Sequence, residues 1–311
     1  MSDVESLGGS STGLQWRRLS DFPSWNRYAA VNDEFIDLHM SDAAAIAAGQ
    51  PGAFGMGNLR IAYYYAWLEH LKAPAQRIRE FSCKFTALSF AGDTLEIGAD
   101  HKDVGSEIQV ELTMRNQHGI DTTPARAILG AGYADSIGDE CRVGSVTPTP
   151  GEWAYLDQRT LDLIGDVQGP FYSYPVDPND IRRWERAVWY PATPPSDGHV
   201  PQGFTDRESQ TGAAPGDFNP FAWHPSRRTD GFPWMRGMGT TVGYRGLNGG
   251  LRFRHYNDIH AGDVLESRVT LLDAYEKIGS AGKLLFLIDR DSWTNQRGEL
   301  VRVSDRTTIY Y

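Results

Sequence analysis

A short stretch at residues 31–39, VNDEFIDLH, places acidic and imidazole side chains between large apolar residues. Asp33, Glu34 and Asp37 all lie within the six residues before His39. A carboxylate can take a proton from water, and a nearby imidazole can orient that water or return the proton. The same residue types also form ordinary solvated turns. Two interpretations therefore stand side by side: an acid–base pair and a charged surface loop.

Metal binding is a third interpretation of this stretch, with His39 and Asp42 as ligands. No third ligand has suitable spacing, and zinc sites use at least three protein ligands. Cys83 and Cys141 stand alone, without the paired spacing of a zinc site or of a disulfide framework. We therefore predict no metal ion and no structural disulfide.

Length and charge limit the classes of function that the chain can have. At 311 residues it is longer than a typical single core, so two domains are expected. A net charge of −10 argues against a nucleic-acid partner, because phosphate backbones require clustered Lys and Arg. No apolar run reaches the roughly 20 residues of a membrane span, and the first residues lack the order of a signal peptide. We expect a cytoplasmic protein with no membrane partner.

The chain contains an internal repeat. The segment FAGDTLE at 90–96 is similar to HAGDVLE at 260–266, and MRNQHG at 114–119 is similar to WTNQRG at 293–298. The two pairs occur in the same order, which favours a duplicated unit over coincidence. Asp93 and Asn116 are 23 residues apart, whereas Asp263 and Asn295 are 32 apart, so the second copy carries an insertion of nine.

The segments between these turns have the patterns of β-strands. In IQVELTM at 108–114, apolar and polar residues alternate, which is typical of a half-buried strand. The run KLLFLI at 283–288 predicts a strand covered on both faces. Near the C-terminus, Val301 and Val303 alternate with charged residues. Antiparallel strands joined by tight turns are therefore expected in both copies.

Helices are predicted in the front part of each copy. Ser41 can cap the segment DAAAIAA, which Gly49 ends, and NLRIAYYYAWLEHL at 58–71 then predicts a helix with one apolar stripe, made by Leu59, Ala62, Tyr63, Ala66 and Trp67. An apolar helix followed by strands suggests a sheet wrapped around that helix. In the second copy, residues 177–191 are interpreted as the corresponding helix, and a long loop follows at about 191–240.

The segment RYAAVNDEFIDLHMSDAAAIAAGQPGAFGMGNL at 27–59 resembles the MaoC-like dehydratases, the R-specific enoyl-CoA hydratases. The segments GLNGGLRFRHYNDIHAGDVLESRVTLLDAYEKIGSAGK and NQRGELV resemble the non-catalytic partner unit of that family. The resemblance implies an α+β double hot-dog fold, in which each unit is a long helix wrapped by an antiparallel sheet. We expect a catalytic-like unit at 1–145 and a partner-like unit at 155–311, the reverse of the usual fused order.

The resemblance also implies roles for individual residues. His39 matches the family histidine, and the family carboxylate position is occupied by Glu34, with Asp33 where the family has glycine. The identity of the base stays open between Glu34 and Asp33. Gly57 matches the glycine whose backbone N–H holds the thioester carbonyl. Contact with substrate is further expected from Met56, Asn58 and Arg60.

The implied reaction is reversible hydration of a 2-enoyl-CoA to the (R)-3-hydroxyacyl-CoA, with the coenzyme A thioester as substrate and no separate cofactor. Because the helix predicted in the second copy is short, we hypothesise a bulky acyl group, such as a branched, aromatic or steroid side chain. Two alternatives are a hot-dog acyl-CoA thioesterase and a catalytically silent acyl-CoA-binding subunit of a hetero-oligomer. A homodimer of double hot-dogs is a further expectation.

Overall fold

The computed structural model describes residues 16–73, 75–133, 153–192, 213–224, 231–236, 243–279 and 282–311. The first half contains β1 (Trp16–Leu19), α1 (Phe22–Asn32), α2 (Asp37–Met40), α3 (Asp42–Ala47), α4 (Gly57–Leu71), β2 (Arg77–Lys84), β3 (Thr94–Val104), β4 (Glu107–Arg115) and β5 (Ala125–Gly130). The second half contains α5 (Gln158–Asp162), β6 (Val167–Tyr172), α6 (Pro178–Trp189), β7 (Gly246–His255), β8 (Leu265–Gly279), β9 (Gly282–Asn295) and β10 (Leu300–Tyr310).

These strands form one antiparallel sheet in the order β1-β3-β4-β5-β2-β7-β10-β9-β8-β6. Read inward from its two edges, the sheet has the same strand order in both halves. The halves join where β2 pairs with β7, with Phe81 opposite Phe253. The predicted α+β double hot-dog fold is confirmed.

The repeated turns share two contacts in both halves, and Asp263 also forms an ion pair with Arg297 at 3.4 Å that has no described counterpart at Asp93. Asp93 accepts hydrogen bonds from the Phe90 N–H at 2.7 Å and from the Gln117 side chain at 2.6 Å. Asp263 accepts from the His260 N–H at 2.8 Å and from the Gln296 side chain at 3.1 Å. The insertion of nine residues lies in the strands between these contacts, because β8 and β9 have 15 and 14 residues whereas β3 and β4 have 11 and 9.

Helix α4 is buried on nearly all sides, so the predicted single stripe was too narrow. Outside that stripe, Ile61, Tyr64 and Tyr65 are also almost fully buried. The Tyr64 hydroxyl donates to the Thr123 carbonyl at 2.6 Å, and the Tyr65 hydroxyl hydrogen-bonds His255 of β7 at 2.7 Å. The second half covers the side of the helix that its own sheet leaves open, which sequence periodicity cannot reveal.

The interpretation of residues 177–191 as a second central helix was wrong. Ser20, which precedes α1, exchanges two backbone hydrogen bonds with the turn at 92–93, and Val176, which precedes α6, exchanges two with the turn at 262–263. Helix α6 is therefore the counterpart of α1 and not of α4. Both helices begin with an Asp cap and an early Pro, so local start signals could not distinguish the two positions.

A second pair of equivalent contacts locates the place where another central helix would begin. The Gly55 N–H donates to the Ser89 carbonyl at 2.7 Å, and the Ala214 N–H donates to the Ile259 carbonyl at 2.8 Å. After Gly55 the chain enters α4, whereas residues 216–223 are mainly turns. Among the described residues, the second half has no counterpart of α4.

Several predictions fall on residues that lie outside the described part of the chain. They include Cys141, the expected unit boundary at 145 and much of the expected loop at 191–240. The unit boundaries at 145 and 155 therefore stay predictions. Within the described residues, no helix has the length and apolar character needed to cross a membrane.

Candidate active site

His39 lies in the short helix α2 and is buried. Its Nδ1 is 2.7 Å from the Phe54 carbonyl oxygen, and its ring meets the Phe54 ring edge-on. A carbonyl oxygen can only accept, so Nδ1 carries the hydrogen and, in the neutral ring, Nε2 is the acceptor nitrogen. The fold thus fixes one tautomer of His39.

Burial lowers the pKa of His39 below its ordinary value. The hydrogen bond to Phe54 opposes this effect, and the positive charge of Arg60 adds to it. A lowered pKa keeps the imidazole neutral at neutral pH, so that Nε2 can accept a proton or a hydrogen bond from water.

Glu34 is held by two side-chain amides. Asn32 donates to its Oε2 at 2.7 Å, and Asn58 donates to Oε1 and Oε2 at 3.1 and 3.2 Å. Asn58 belongs to the first turn of α4, so these bonds fix the carboxylate of Glu34 next to the N-terminus of that helix. Asn32 was not predicted as a site residue, although it lies in the same acidic stretch.

Asp33 has a different local role. It is the C-cap of α1, with φ of 53° and ψ of 50°, and its N–H donates to the Ala29 carbonyl. This left-handed conformation favours glycine, and Asp is among the few other residues that tolerate it. Asp33 therefore ends the helix at the position where the sequence resemblance expects glycine, and Glu34 follows at the position to which that resemblance assigns the carboxylate.

Gly57 is the first residue of α4, and Met56 before it provides no side-chain cap. The first N–H groups of a helix lack partners within the helix and carry partial positive charge. A Cβ on Gly57 would lie 2.9 Å from Cζ of Phe85, closer than a real contact allows. The helix start therefore has an N–H group suited to an anionic oxygen and no room for a side chain.

Two of the predicted substrate contacts have structural roles instead. The Arg60 guanidinium is buried and donates to the Ala87 carbonyl at 2.8 Å, the Thr122 carbonyl at 3.1 Å and the Thr123 hydroxyl at 2.9 Å. Burial lowers its pKa to about 10. The Met56 side chain is fully buried in the core. The sequence shows residue type and position, but not which way these side chains point.

The segment 54–58 brings the candidate residues together. Phe54 binds His39, Asn58 binds Glu34, and Gly57 between them begins α4. The predicted set of His39, Glu34 and Gly57 is thus gathered at one helix N-terminus. Such a site can hold a carboxylate, a neutral imidazole and a backbone N–H group around one ligand.

A cavity of about 460 Å³ adjoins this site. The first half contributes one wall through Tyr28, Asn32, Asn58 and Ile61, and strands β7 to β10 contribute the opposite wall. It faces the part of the second sheet that a second central helix would cover. A larger cavity of about 620 Å³ lies between α4 and α6, but neither Asn residue that binds Glu34 lines it.

The second half does not repeat the acidic position. Tyr190 lies as far beyond the cap Asp177 as Glu34 lies beyond the cap Asp21. The chain beyond residue 192 in that region is outside the described residues. Among the described residues, only the first half has a carboxylate at this equivalent position.

Comparisons with known proteins agree with this architecture. A family model for the FAS1-like dehydratase domain region matches residues 162–304. No curated protein sequence matches the chain at a significant level.

Several solved structures share the fold over the whole chain. A protein described as a MaoC domain protein dehydratase, from Chloroflexus aurantiacus, has 13% identity and a TM-score of 0.64, over 99% of both chains. A conserved hypothetical protein from Mycobacterium tuberculosis, described as having a double hotdog fold, has 13% identity and a TM-score of 0.55, over 97% of both chains. Residues 162–304 thus match the dehydratase family model, and the whole chain shares the double hot-dog fold of these structures.

Proposed function

We propose that the protein reversibly hydrates a 2-enoyl-CoA to a 3-hydroxyacyl-CoA, with the R configuration that the sequence resemblance implies. One observation carries this proposal: Glu34 and His39 are both bonded to the segment that begins α4 at Gly57. The match of residues 162–304 to the dehydratase family model supports a dehydratase or hydratase reaction, without indicating the substrate.

The reaction requires three groups around the enoyl thioester. The water oxygen bonds to C3 while Glu34 takes one of its protons, and His39 Nε2 accepts a hydrogen bond from the other and so orients the water. The electrons of the double bond move toward the thioester oxygen, where the Gly57 N–H stabilises the negative charge. The proton held by Glu34 then passes to C2, so that one water has been added and the enzyme is restored.

Glu34 is the better candidate for the base than Asp33. Two amides fix the Glu34 carboxylate beside α4, whereas the backbone of Asp33 ends α1 in a left-handed conformation. A base must lie within hydrogen-bond reach of the proton that it takes, so a fixed position matters more than acidity alone.

The cavity supports a bulky acyl group as the substrate. It extends from the Asn residues that hold Glu34 into the second half, where no counterpart of α4 is described. In this proposal coenzyme A carries the acyl group and no other cofactor takes part. A branched, aromatic or polycyclic acyl chain would use the extra space.

The test is the loss of the enoyl-thioester absorbance with crotonyl-CoA and with a panel of longer and bulkier enoyl-CoAs. We expect Glu34→Gln and His39→Ala each to lower kcat/KM by about 10²–10⁴-fold, the usual contribution of an acid–base group. Asp33→Asn is the matched control, because Asn also tolerates the left-handed conformation, and it should stay within a few-fold of the wild type.

Other outcomes would identify the alternatives. Release of free coenzyme A in place of hydration would indicate a thioesterase. A folded protein that turns over no enoyl-CoA would indicate a silent acyl-CoA-binding subunit, and it would make residues 31–39 an ordinary acidic loop.

A further inference from the structure

The cavity beside the candidate active site has one wall that is unexpectedly polar. Three residues of β10, Arg302, Ser304 and Arg306, lie on its surface, together with Asp289 and Asp291 of β9. Alternate residues of a strand point to the same face, so the β10 residues form a row about 7 Å apart along one side of the cavity. Apolar side chains such as Leu251, Phe253 and Val269 complete this wall.

Part of this polar wall is already paired within the protein. Arg306 donates to Asp289 at 3.0 Å, and the Ser267 hydroxyl donates to Asp291 at 2.6 Å. Arg302 donates to the Gly216 carbonyl at 2.7 Å, and its guanidinium stacks on Trp293 with its carbon 3.7 Å from the ring centre. These contacts hold the side chains in fixed positions, as a recognition surface requires.

Other polar atoms of the same row are buried without a partner among the described residues. They are Oγ of Ser304 and Nε of both Arg302 and Arg306. Ser304 and Arg302 are themselves more than nine-tenths buried. Buried polar groups are normally hydrogen-bonded, and a purely hydrocarbon ligand would leave all three atoms unpaired. A ligand oxygen at this wall would accept from Nε–H and could bond the serine hydroxyl.

The charges of the cavity favour a neutral oxygen over a carboxylate. Its described carboxylic acids are Asp217, Asp289 and Asp291, and its described arginines are Arg302 and Arg306. One arginine is already paired with Asp289, so there is no surplus of positive charge to compensate a buried anion. A hydroxyl or a ketone can satisfy the same donors without that cost.

Resting on the proposed hydration of an enoyl-CoA, we infer that the acyl group of the substrate carries a hydroxyl or ketone oxygen that lies against Arg302, Ser304 and Arg306. The two walls of the cavity determine how the substrate would lie in it. The reacting carbons lie on the side of Asn32 and Asn58, and the substituent lies on the side of β10. The oxygen is therefore remote from the thioester and takes no part in the addition of water.

Binding of saturated acyl-CoAs tests this inference without requiring turnover. Calorimetry would compare octanoyl-CoA with analogues of equal length that carry an ω-hydroxyl, a ketone at the penultimate carbon, or an ω-carboxylate. We expect the hydroxyl or the ketone analogue to bind at least about tenfold more tightly than octanoyl-CoA, the effect of satisfying one or two buried donors.

Two variants test whether the β10 wall causes the binding preference. Ser304→Ala should remove most of the preference, because the hydroxyl that octanoyl-CoA leaves unpaired is then absent. Ser292→Ala is the matched control, because Ser292 follows Asp291 on β9 and points to the opposite face, and it should keep the preference. Equal binding of octanoyl-CoA and both neutral analogues would refute the inference, as would a preference for the carboxylate or one that survives both Ser304→Ala and Arg306→Leu.

Hydration of crotonyl-CoA separates this inference from the proposed reaction, because its short acyl chain is too small to fill the cavity. A protein that hydrates crotonyl-CoA without any preference for an oxygen-bearing chain would refute the substrate inference alone. A protein that keeps the binding preference but hydrates no enoyl-CoA would refute the reaction alone.

Discussion

The two halves of the molecule share a sheet but differ in what the sheet encloses. In the first half, strands β1 to β5 pack around α4, and in the second half the equivalent face of β7 to β10 lines a cavity. The Asp–Gln contacts that close the repeated turns are the same in both halves. The sheet of the second half therefore forms although no central helix is described there. Its inner face can contribute a binding surface.

The two halves differ most where the backbone continues beyond the equivalent contacts at Gly55 and Ala214. Two residues later, Gly57 begins α4, whereas the carbonyl of Gly216 accepts a hydrogen bond from Arg302. In the first half this position is part of the candidate oxyanion site, and in the second half it supports the cavity wall. The same substitution at both positions should therefore have different effects.

The largest expected effect comes from Gly57→Ala. The new Cβ would lie 2.9 Å from the ring of Phe85, which is only half-buried, so the ring or the helix start must shift. We expect kcat to fall by about 10²-fold, as on loss of one oxyanion donor, with little change in the free energy of unfolding. Initial rates per folded enzyme and urea denaturation would measure the two quantities.

Gly216→Ala is the matched comparison. Its Cβ would lie 2.7 Å from Tyr65 and 3.1 Å from His255, both of which are buried. Overpacking of this kind costs about 1–3 kcal/mol of stability, while kcat per folded molecule should stay near that of the wild type. If both substitutions affected the same quantity, the proposed division of roles between the halves would be wrong.

The next largest effect is expected from Asp217→Asn, at the residue that follows Gly216. Burial raises the pKa of Asp217 to about 7, although the bond from Trp184 opposes the rise. Because the folded pKa lies above the unfolded value of 3.8, the folded state favours the protonated form. The contribution of Asp217 to the stability of the wild type should therefore be greatest at low pH and should be lost as the pH rises toward 7.

Asn cannot ionise, so the variant should lose this dependence and exceed the wild type by a few kcal/mol at pH 8, with a much smaller difference near pH 4. Urea unfolding of both proteins at the two pH values would measure it. Parallel pH profiles would mean that Asp217 is not held neutral in the folded protein. Asn58 at the equivalent position of the first half already has the uncharged side chain.

The sequence predicted those features of the fold that depend on residues close to one another in the chain, and it missed those that depend on long-range contacts. The repeated turns were predictable because Asp93 and Asp263 bind groups that are close in sequence or in the paired strand. Helix α6 was misassigned because its Asp-Pro start also suits α1, and only long-range contacts distinguish the two positions. The polar wall was missed because alternating charge on β10 indicates a solvated face, whereas these charges point into a cavity.

For the site, residue types indicated the chemistry but backbone geometry was needed to assign the roles. The sequence left Glu34 and Asp33 equal as the base. The positive φ of Asp33 distinguishes them, and no local pattern encodes it when the residue is not glycine. Asn32 and Asn58 become important only because α1 and α4 bring them to the same carboxylate.

Substitutions in the repeated turns should have a smaller effect on stability, of similar size in the two halves. Asp93→Ala and Asp263→Ala each remove the acceptor of a backbone N–H and of a glutamine amide. Each should lower the free energy of unfolding by about 2 kcal/mol, the range for hydrogen bonds to a charged group, without a specific loss of kcat. Chemical denaturation of both variants would measure this. A marked loss in only one half would show that the two turns are not equivalent.

The smallest expected effect concerns the buried histidines of the two halves. Burial and, less strongly, Arg302 lower the pKa of His255 to about 3, whereas His39 is lowered less, because its bond to Phe54 partly offsets burial. On acidification, the imidazole of His39 should therefore take up a proton well before that of His255, with a midpoint below the ordinary value of 6.5. NMR titration would show this, with the His39 signal identified by its loss in His39→Ala.

The activity should fall reversibly over the same pH range, because a protonated Nε2 can no longer accept a hydrogen bond from water. A midpoint at or above 6.5 would mean that water reaches His39 as freely as a surface histidine, which would contradict the buried position described for it in the first half.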